Sequence, residues 1–312
     1  MKSPIFIVGC DRSGTTLLRL MLNQSPILHI PQESKFLVSL QKNQELYGDF
    51  TKPYQRWFFI RDLQTNRATI KTFTFPVFDM TLEEAEATLV EAAPTDFFGA
   101  AAAMFTASAR KCNKQHWGDK TPHQIQHISF LAEAFSDAKF IHIIRDGRDV
   151  AVSIRKAGWH GGKILKIARY WKKQVEAGRS AGVLLGKSRY FEVYYEQLVM
   201  QPEKTLKDLC SWLEIEYTSQ MMKYYLTADD KIPKEHSNLF ELVKKPIDSS
   251  RAFGWKQILS NKEIADFESE TAELIELLGY ELKGVKLSIW IKLWRTAKKQ
   301  VYPVLSRVKK HL

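Results

Sequence analysis

The chain has 312 residues, 45% of them hydrophobic, which is enough to bury a large core in one big domain or two small ones. Its net charge of +11 is mostly local: residues 283–312 hold nine of the 46 Lys and Arg and no acid, leaving 37 basic against 35 acidic residues elsewhere. A near-neutral body argues against a nucleic-acid-binding face, no apolar run is long enough to span a membrane, and three scattered cysteines (Cys10, Cys112, Cys210) form neither a disulfide framework nor a zinc set.

Pro4 to Asn23 reads PIFIVGCDRSGTTLLRLMLN. Ile5 to Val8 is a β-branched apolar run of the kind that makes a buried strand, and Gly9 ends it. Leu17, Leu18, Met21 and Leu22 then fall at helical spacing. A strand, a glycine-bounded loop and a helix start make an anion cradle, because unpaired backbone N–H groups converge there and the helix dipole adds partial positive charge. Gly9 and Gly14 have the separation of the GxxxxGK[ST] nucleotide loop, but Thr15 stands where its lysine belongs. The cation is Arg12, inside the loop. Arg12, Ser13, Gly14, Thr15 and Thr16 are therefore expected to grip a phosphate-like group from a different direction.

Ile27 to Ile30 is a second apolar run, followed by Gln32, Glu33, Ser34 and a helix from about Lys35. Residues 47–78 are rich in aromatics (among them Tyr47, Phe50, Phe59, Phe73, Phe75 and Phe78), and core packing explains them better than an acceptor pocket does. Met80–Ala92 and Asp96–Lys111 read as helices. His116 to Pro122, HWGDKTP, reads as a polar, turn-like patch before a helix over His123–Phe135. His123 and His127 lie one helical turn apart, but HQIQH lacks the glutamate of HExxH and a third ligand, so no metal is expected.

Lys139 to Ile154 reads KFIHIIRDGRDVAVSI. Phe140–Ile144 is a buried strand, Asp146-Gly147 a turn, and Asp149 the expected cap of the next helix. In a parallel α/β sheet ligands collect beyond the carboxyl ends of the strands, where Arg145 stands. Ser153 follows early in the next helix, and an arginine fork with a hydroxyl suits a phosphate monoester. The plainer alternative pairs Arg145 and Arg148 with Asp146 and Asp149 at the surface.

These two stretches resemble the sulfotransferases that use 3′-phosphoadenosine 5′-phosphosulfate (PAPS), in particular the tyrosylprotein and carbohydrate branch. RSGTT resembles their 5′-phosphosulfate loop and RDGRDVAVS their 3′-phosphate site. The resemblance runs in pieces from about residue 4 to about residue 280. It implies a P-loop-like three-layer α/β fold whose central, mainly parallel sheet is flanked by helices. It further implies Glu33 in PQESKF as catalytic base, Lys120 in GDKTP beside the transferring sulfuryl group, and Tyr195 in YEQLV near the nucleotide. Ser237, Lys245 and Trp255 fall in a stretch similar to the family's closing loop. The chain departs from the cytosolic members, which carry lysine where Arg12 stands and a histidine base, and from Golgi members, which carry an anchor and disulfides.

The expected activity is that of an EC 2.8.2-type sulfotransferase. The sulfuryl group passes from PAPS to a hydroxyl or amine of an acceptor (a carbohydrate, lipid or tyrosine), leaving adenosine 3′,5′-bisphosphate. Arg12 and Lys120 would meet the charge on the departing phosphate, so no metal is needed. Glu33, its pKa raised by partial burial, would take the proton, with His116 or His123 as rival bases. The alternatives are a P-loop kinase or NTPase and an inactive membrane-associated nucleotide-binding protein. Residues 1–282 are expected to form the sulfotransferase domain, with 47–115 as a helical, aromatic-rich insertion serving as an acceptor lid. In 283–312, Leu287, Trp290, Ile291, Trp294, Ala297 and Val301 mark one face of a basic amphipathic helix, which suits an anionic membrane surface or packing on protein. The expected location is cytoplasmic, with peripheral attachment to the inner face of a membrane through that tail.

Overall fold

The computed structural model describes residues 3–65, 78–228 and 241–284. Among the described residues, five strands form one parallel sheet: β1 (Ile5–Gly9), β2 (Leu28–His29), β3 (His116–Lys120), β4 (Lys139–Ile144) and β5 (Tyr190–Tyr194), in the spatial order β2-β3-β1-β4-β5. The helices are α1 (Thr15–Leu22), α2 (Phe36–Ser39), α3 (Pro53–Thr65), α4 (Leu82–Ala92), α5 (Phe97–Lys111), α6 (Ile128–Ala134), α7 (Gly147–Lys156), α8 (Ile164–Leu185), α9 (Tyr195–Met200), α10 (Pro202–Leu213), α11 (Trp255–Ile258) and α12 (Asn261–Leu277). Contacts divide the described residues into two compact units, one made of those within 1–145 and 173–252 and one of those within 146–172 and 253–284.

The first unit holds the sheet and is layered on both of its faces. Phe6 and Val8 of β1, Trp117 of β3 and Phe140 of β4 join a cluster with Phe36, Phe59, Leu89, Phe105 and Leu131 from the α2–α6 layer. Ile5, Ile7, Ile141, Ile143 and Val193 join the opposite cluster with Leu18, Leu198, Leu206 and Tyr224. Strands covered on both faces are apolar at successive residues, which is why β1 and β4 read so clearly in the sequence. Tyr47, Phe50, Phe59 and Phe78 are core residues, as the aromatic content suggests; Phe73 and Phe75 lie outside the described residues, and so do Ser237 and residues 285–312.

Side-chain caps set the helix starts in the α2–α6 layer. Thr81 and Glu84 form a capping box at α4, and Asp96 accepts the Gly99 N–H at 2.7 Å to start α5. Three local expectations are corrected. HWGDK is not a turn but β3, buried between β1 and β2. The helix expected over His123–Phe135 is a 3₁₀ segment, Pro122–His127, followed by α6. Asp149 does not cap α7: Asp146 does, by accepting the Arg148 N–H at 2.9 Å. Asp149 lies in the first turn and accepts the backbone N–H groups of Phe253 and Trp255, both at 2.8 Å.

The second unit is built on a buried polar lattice. Arg148 donates two hydrogen bonds to Asp146, at 2.9 and 2.8 Å, and a third to Glu268 at 2.7 Å. Its guanidinium carbon lies 3.7 Å from the Trp255 ring centroid, and the indole N–H reaches Asp146 at 3.0 Å. Arg148 is therefore a buried structural residue, and the surface pairing of Arg148 is corrected accordingly. Among the described residues no helix is long and apolar enough to cross a membrane, and Cys10, Cys112 and Cys210 are free thiols.

Candidate active site

The sheet order explains where the site forms. β1 and β4 are neighbours, the strand after β1 lies on one side of the pair and the strand after β4 on the other, and such a switch point leaves a crevice beyond the carboxyl ends of the strands. Gly9, the last residue of β1, pairs with Ile143 of β4. A Cβ there would stand 2.6 Å from the Ile143 carbonyl oxygen, so only glycine lets the chain leave the sheet at this point. The loop that follows turns through Arg12 at φ 67° and Gly14 at φ 99°. Gly14 also needs the space: a Cβ would meet the Tyr195 ring at 2.5 Å. A left-handed arginine costs about 1–3 kcal/mol, and such strain concentrates at ligand clamps. Ser13 is fully buried, and its Oγ has no hydrogen-bond partner among the described residues, which suits a loop shaped around an anion.

Arg12, Glu33, Lys120, Arg145 and Tyr195 gather beyond these strand ends, whereas His116, a rival base, opens β3 at the other end of that strand. Arg145, just past β4, donates to the Arg12 carbonyl at 3.2 Å and to the Arg251 carbonyl at 3.1 Å, and stacks 4.2 Å over the Tyr195 ring at the start of α9. Lys120, the last residue of β3, donates to Glu33 at 2.6 Å and to Thr16 at 3.3 Å. Thr15 and Thr16 open α1. Lys245 is tied through its carbonyl to the Tyr224 hydroxyl at 2.8 Å. Ser153 lies on α7 and Trp255 opens α11, both in the second unit.

The electrostatics correct one expectation. Burial alone would push the Glu33 carboxyl up, but Lys120 and then Lys35 outweigh it and hold Glu33 at about 2. Glu33 is thus ionised at neutral pH and keeps 28% of its side chain exposed. Burial, opposed by Glu33, lowers Lys120, and burial followed by the nearby Arg145 lowers Arg12. Lys120 and Arg12 therefore sit where charge is costly to hold, which an anion would relieve.

Sequence reasoning missed several members. Lys35 adopts φ 55°, pairs with Glu33 at 3.3 Å and donates its backbone N–H to Thr121 at 3.3 Å. Arg19 is buried on α1 and brought to about 10 by burial, partly offset by Glu33; an arginine inside the apolar run TTLLRLML was the available signal. Asp119 is fully buried, accepts from Gln124 at 2.7 Å and is pushed up to about 6 by burial. His123, a rival base, pairs with Asp11 of the loop at 3.4 Å.

Comparison with known proteins gives this arrangement a family. A family model described as "Sulfotransferase family" matches residues 4–219. The chain belongs to the sulfotransferase family. It is 25% identical over 285 residues to a protein-tyrosine sulfotransferase of Drosophila melanogaster, covering 89% of this chain and 51% of that one. It is 27% identical over 228 residues to protein-tyrosine sulfotransferase 2 of Gallus gallus, covering 70% of this chain and 53% of that protein. The chain thus spans about half the length of these relatives. Among solved structures, the sulfotransferase domain of the Synechococcus PCC 7002 olefin synthase superposes with a TM-score of 0.63 at 24% identity, covering 90% of this chain and 97% of that one. A sulfotransferase domain from the curacin biosynthetic pathway gives 0.63 at 21% identity and 90% and 99% coverage. The sulfotransferase fold expected from RSGTT and RDGRDVAVS is thereby established.

Proposed function

We propose that this chain is a PAPS-dependent sulfotransferase acting on a hydroxyl acceptor, with tyrosine as the first acceptor to test. The observation that carries this reading is the gathering of Lys120, Arg12 and Arg145 beyond three neighbouring strands, around a glycine-bounded loop that lacks the lysine of a nucleoside triphosphate site. Arg12, Ser13, Gly14, Thr15 and Thr16 would hold the 5′-phosphosulfate, and Arg145 with Tyr195 the rest of the nucleotide; the buried, unsatisfied Ser13 hydroxyl fits that anion. Ser153, Ser237 and Lys245 keep only the nucleotide role that motif similarity implies. When bound, the donor supplies an activated sulfuryl group on a phosphate leaving group. Arg12 and Lys120 stabilise the negative charge that develops on the departing phosphate oxygen, a contribution of about 2.7–4 kcal/mol for a positioned donor. Glu33 accepts the acceptor's hydroxyl proton. The names of the relatives favour a phenolic acceptor. The three free thiols suit a reducing, cytoplasmic setting. Incubation with ³⁵S-labelled PAPS and tyrosine peptides beside a native cell extract tests the reading. Label on any acceptor that is lost in Arg12→Ala supports it, and no transfer to any acceptor contradicts it.

A further inference from the structure

Lys120 serves two partners at once. Its Nζ donates to Glu33 Oε1 at 2.6 Å and to Thr16 Oγ1 at 3.3 Å. Thr16 belongs to the first turn of α1, directly after the glycine loop, so the same ammonium connects the anion cradle with the carboxylate assigned as base. Lys120 is 3% exposed, and little water can replace either partner. The charged groups acting on the pair come from every neighbouring element. Lys35 holds Glu33 Oε2 at 3.3 Å, Arg19 of α1 acts on both members, and Asp119 of β3 acts on Lys120. Arg12 of the loop and Glu33 also sense one another. A carboxylate held by two ammonium groups, at about 2, attracts a hydroxyl proton weakly.

A base that stays weak is at odds with the reaction, unless the pairing changes when the loop fills. A doubly charged phosphate in the loop competes with Glu33 for the Lys120 ammonium, because Lys120 already reaches the loop through Thr16. We propose that the Lys120–Glu33 ion pair is a latch: it keeps the base idle until an anion in the glycine loop takes Lys120 from Glu33. This rests on the sulfotransferase reading and adds an order to it, with donor binding ahead of proton transfer. No covalent bond changes in the exchange. One ammonium moves its pairing from carboxylate to phosphate, Glu33 keeps Lys35, and its affinity for a proton rises.

Calorimetric titration of adenosine 3′,5′-bisphosphate onto the full chain tests the latch in four proteins: wild type, Glu33→Gln, Lys120→Met and the double variant. Glu33→Gln frees Lys120 and should tighten binding about tenfold, while in the Lys120→Met background the same change should move affinity by less than about twofold. An equal gain in both backgrounds is a general effect of removing negative charge and overturns the latch, as does no gain in either. Wild type should also take up protons on binding near pH 5, seen as a dependence of the heat on buffer ionisation enthalpy. Glu33→Gln should take up fewer, and equal uptake overturns the proposal. Glu33→Ala and Lys120→Gln replace any variant that circular dichroism shows to be unfolded. A wild type that binds no bisphosphate would defeat the sulfotransferase reading itself, an outcome distinct from bisphosphate binding without coupling.

Discussion

Arg145 and Arg148 stand three residues apart in one motif, yet their surroundings treat charge in opposite ways. Arg148, in the second unit, is neutralised by Asp146 and Glu268 and covered by Trp255, and these partners hold its pKa up against burial. Arg145, in the first unit, leans on two backbone carbonyls and a tyrosine ring, close enough to Arg12 to lower the pKa of that second guanidinium. Every guanidinium nitrogen of Arg148 has a carboxylate partner. The cluster beyond β3, β1 and β4 holds Arg12 and Lys120, two cations that burial disfavours, in and beside a loop with a left-handed arginine. The difference separates charge used for stability from charge that the proposed function assigns to a ligand, inside a single stretch of sequence.

If that division is right, substitutions in the cluster act on turnover and substitutions in the lattice act on folding. The largest effect is expected at Glu33: Glu33→Gln should lower steady-state sulfuryl transfer by about 10²–10⁴-fold. Full turnover in that variant would move the base to His123, which pairs with Asp11 of the loop. Next comes Arg148→Ala, which leaves Asp146 and Glu268 buried without their cation and should cost about 3–5 kcal/mol in urea unfolding. A near-neutral result would mean the lattice is not structural. Arg12→Ala should slow transfer by about 10²–10³-fold while unfolding changes little, and equal losses in activity and stability would erase the contrast with Arg148.

Proton linkage gives a smaller effect. The Glu33 carboxyl is held at about 2 in the folded chain, below its unfolded value, so its contribution to stability is complete above about pH 4.5 and fades as pH falls towards 2. The melting difference between wild type and Glu33→Gln should shrink over that window, and a constant difference would deny the pairing with Lys120. Smallest is Thr81→Ala, which should cost about 1 kcal/mol through the loss of the α4 cap and leave transfer unchanged.

The sequence made some of this legible for physical reasons. β1 and β4 are apolar at successive positions because helices cover both sheet faces, and Asp96 announces α5 because a short acid at a helix start has a local partner. The glycine loop was readable because Gly9 and Gly14 answer local demands of close approach and left-handed backbone. β3 was hidden: HWGDK carries Asp119 and Lys120 into the site end of a central strand, and polar residues there look like a turn. Long-range partners were invisible as well. Asp149 looked like a cap because its true partners, the Phe253 and Trp255 amides, lie more than a hundred residues away. Glu33 was expected to be a raised carboxyl because nothing near it in the chain announces Lys120, 87 residues on.

The central claim is that the cluster beyond β3, β1 and β4 holds one phosphosulfate nucleotide. Competition titration of adenosine 3′,5′-bisphosphate against ATP–Mg²⁺, on wild type, Arg12→Ala and Arg145→Ala, tests it most directly. The account predicts saturable binding of the bisphosphate, no displacement by ATP–Mg²⁺ and a loss of about tenfold or more in each arginine variant. Tight binding of ATP–Mg²⁺ with none of the bisphosphate, or unchanged bisphosphate affinity in both variants, would contradict it.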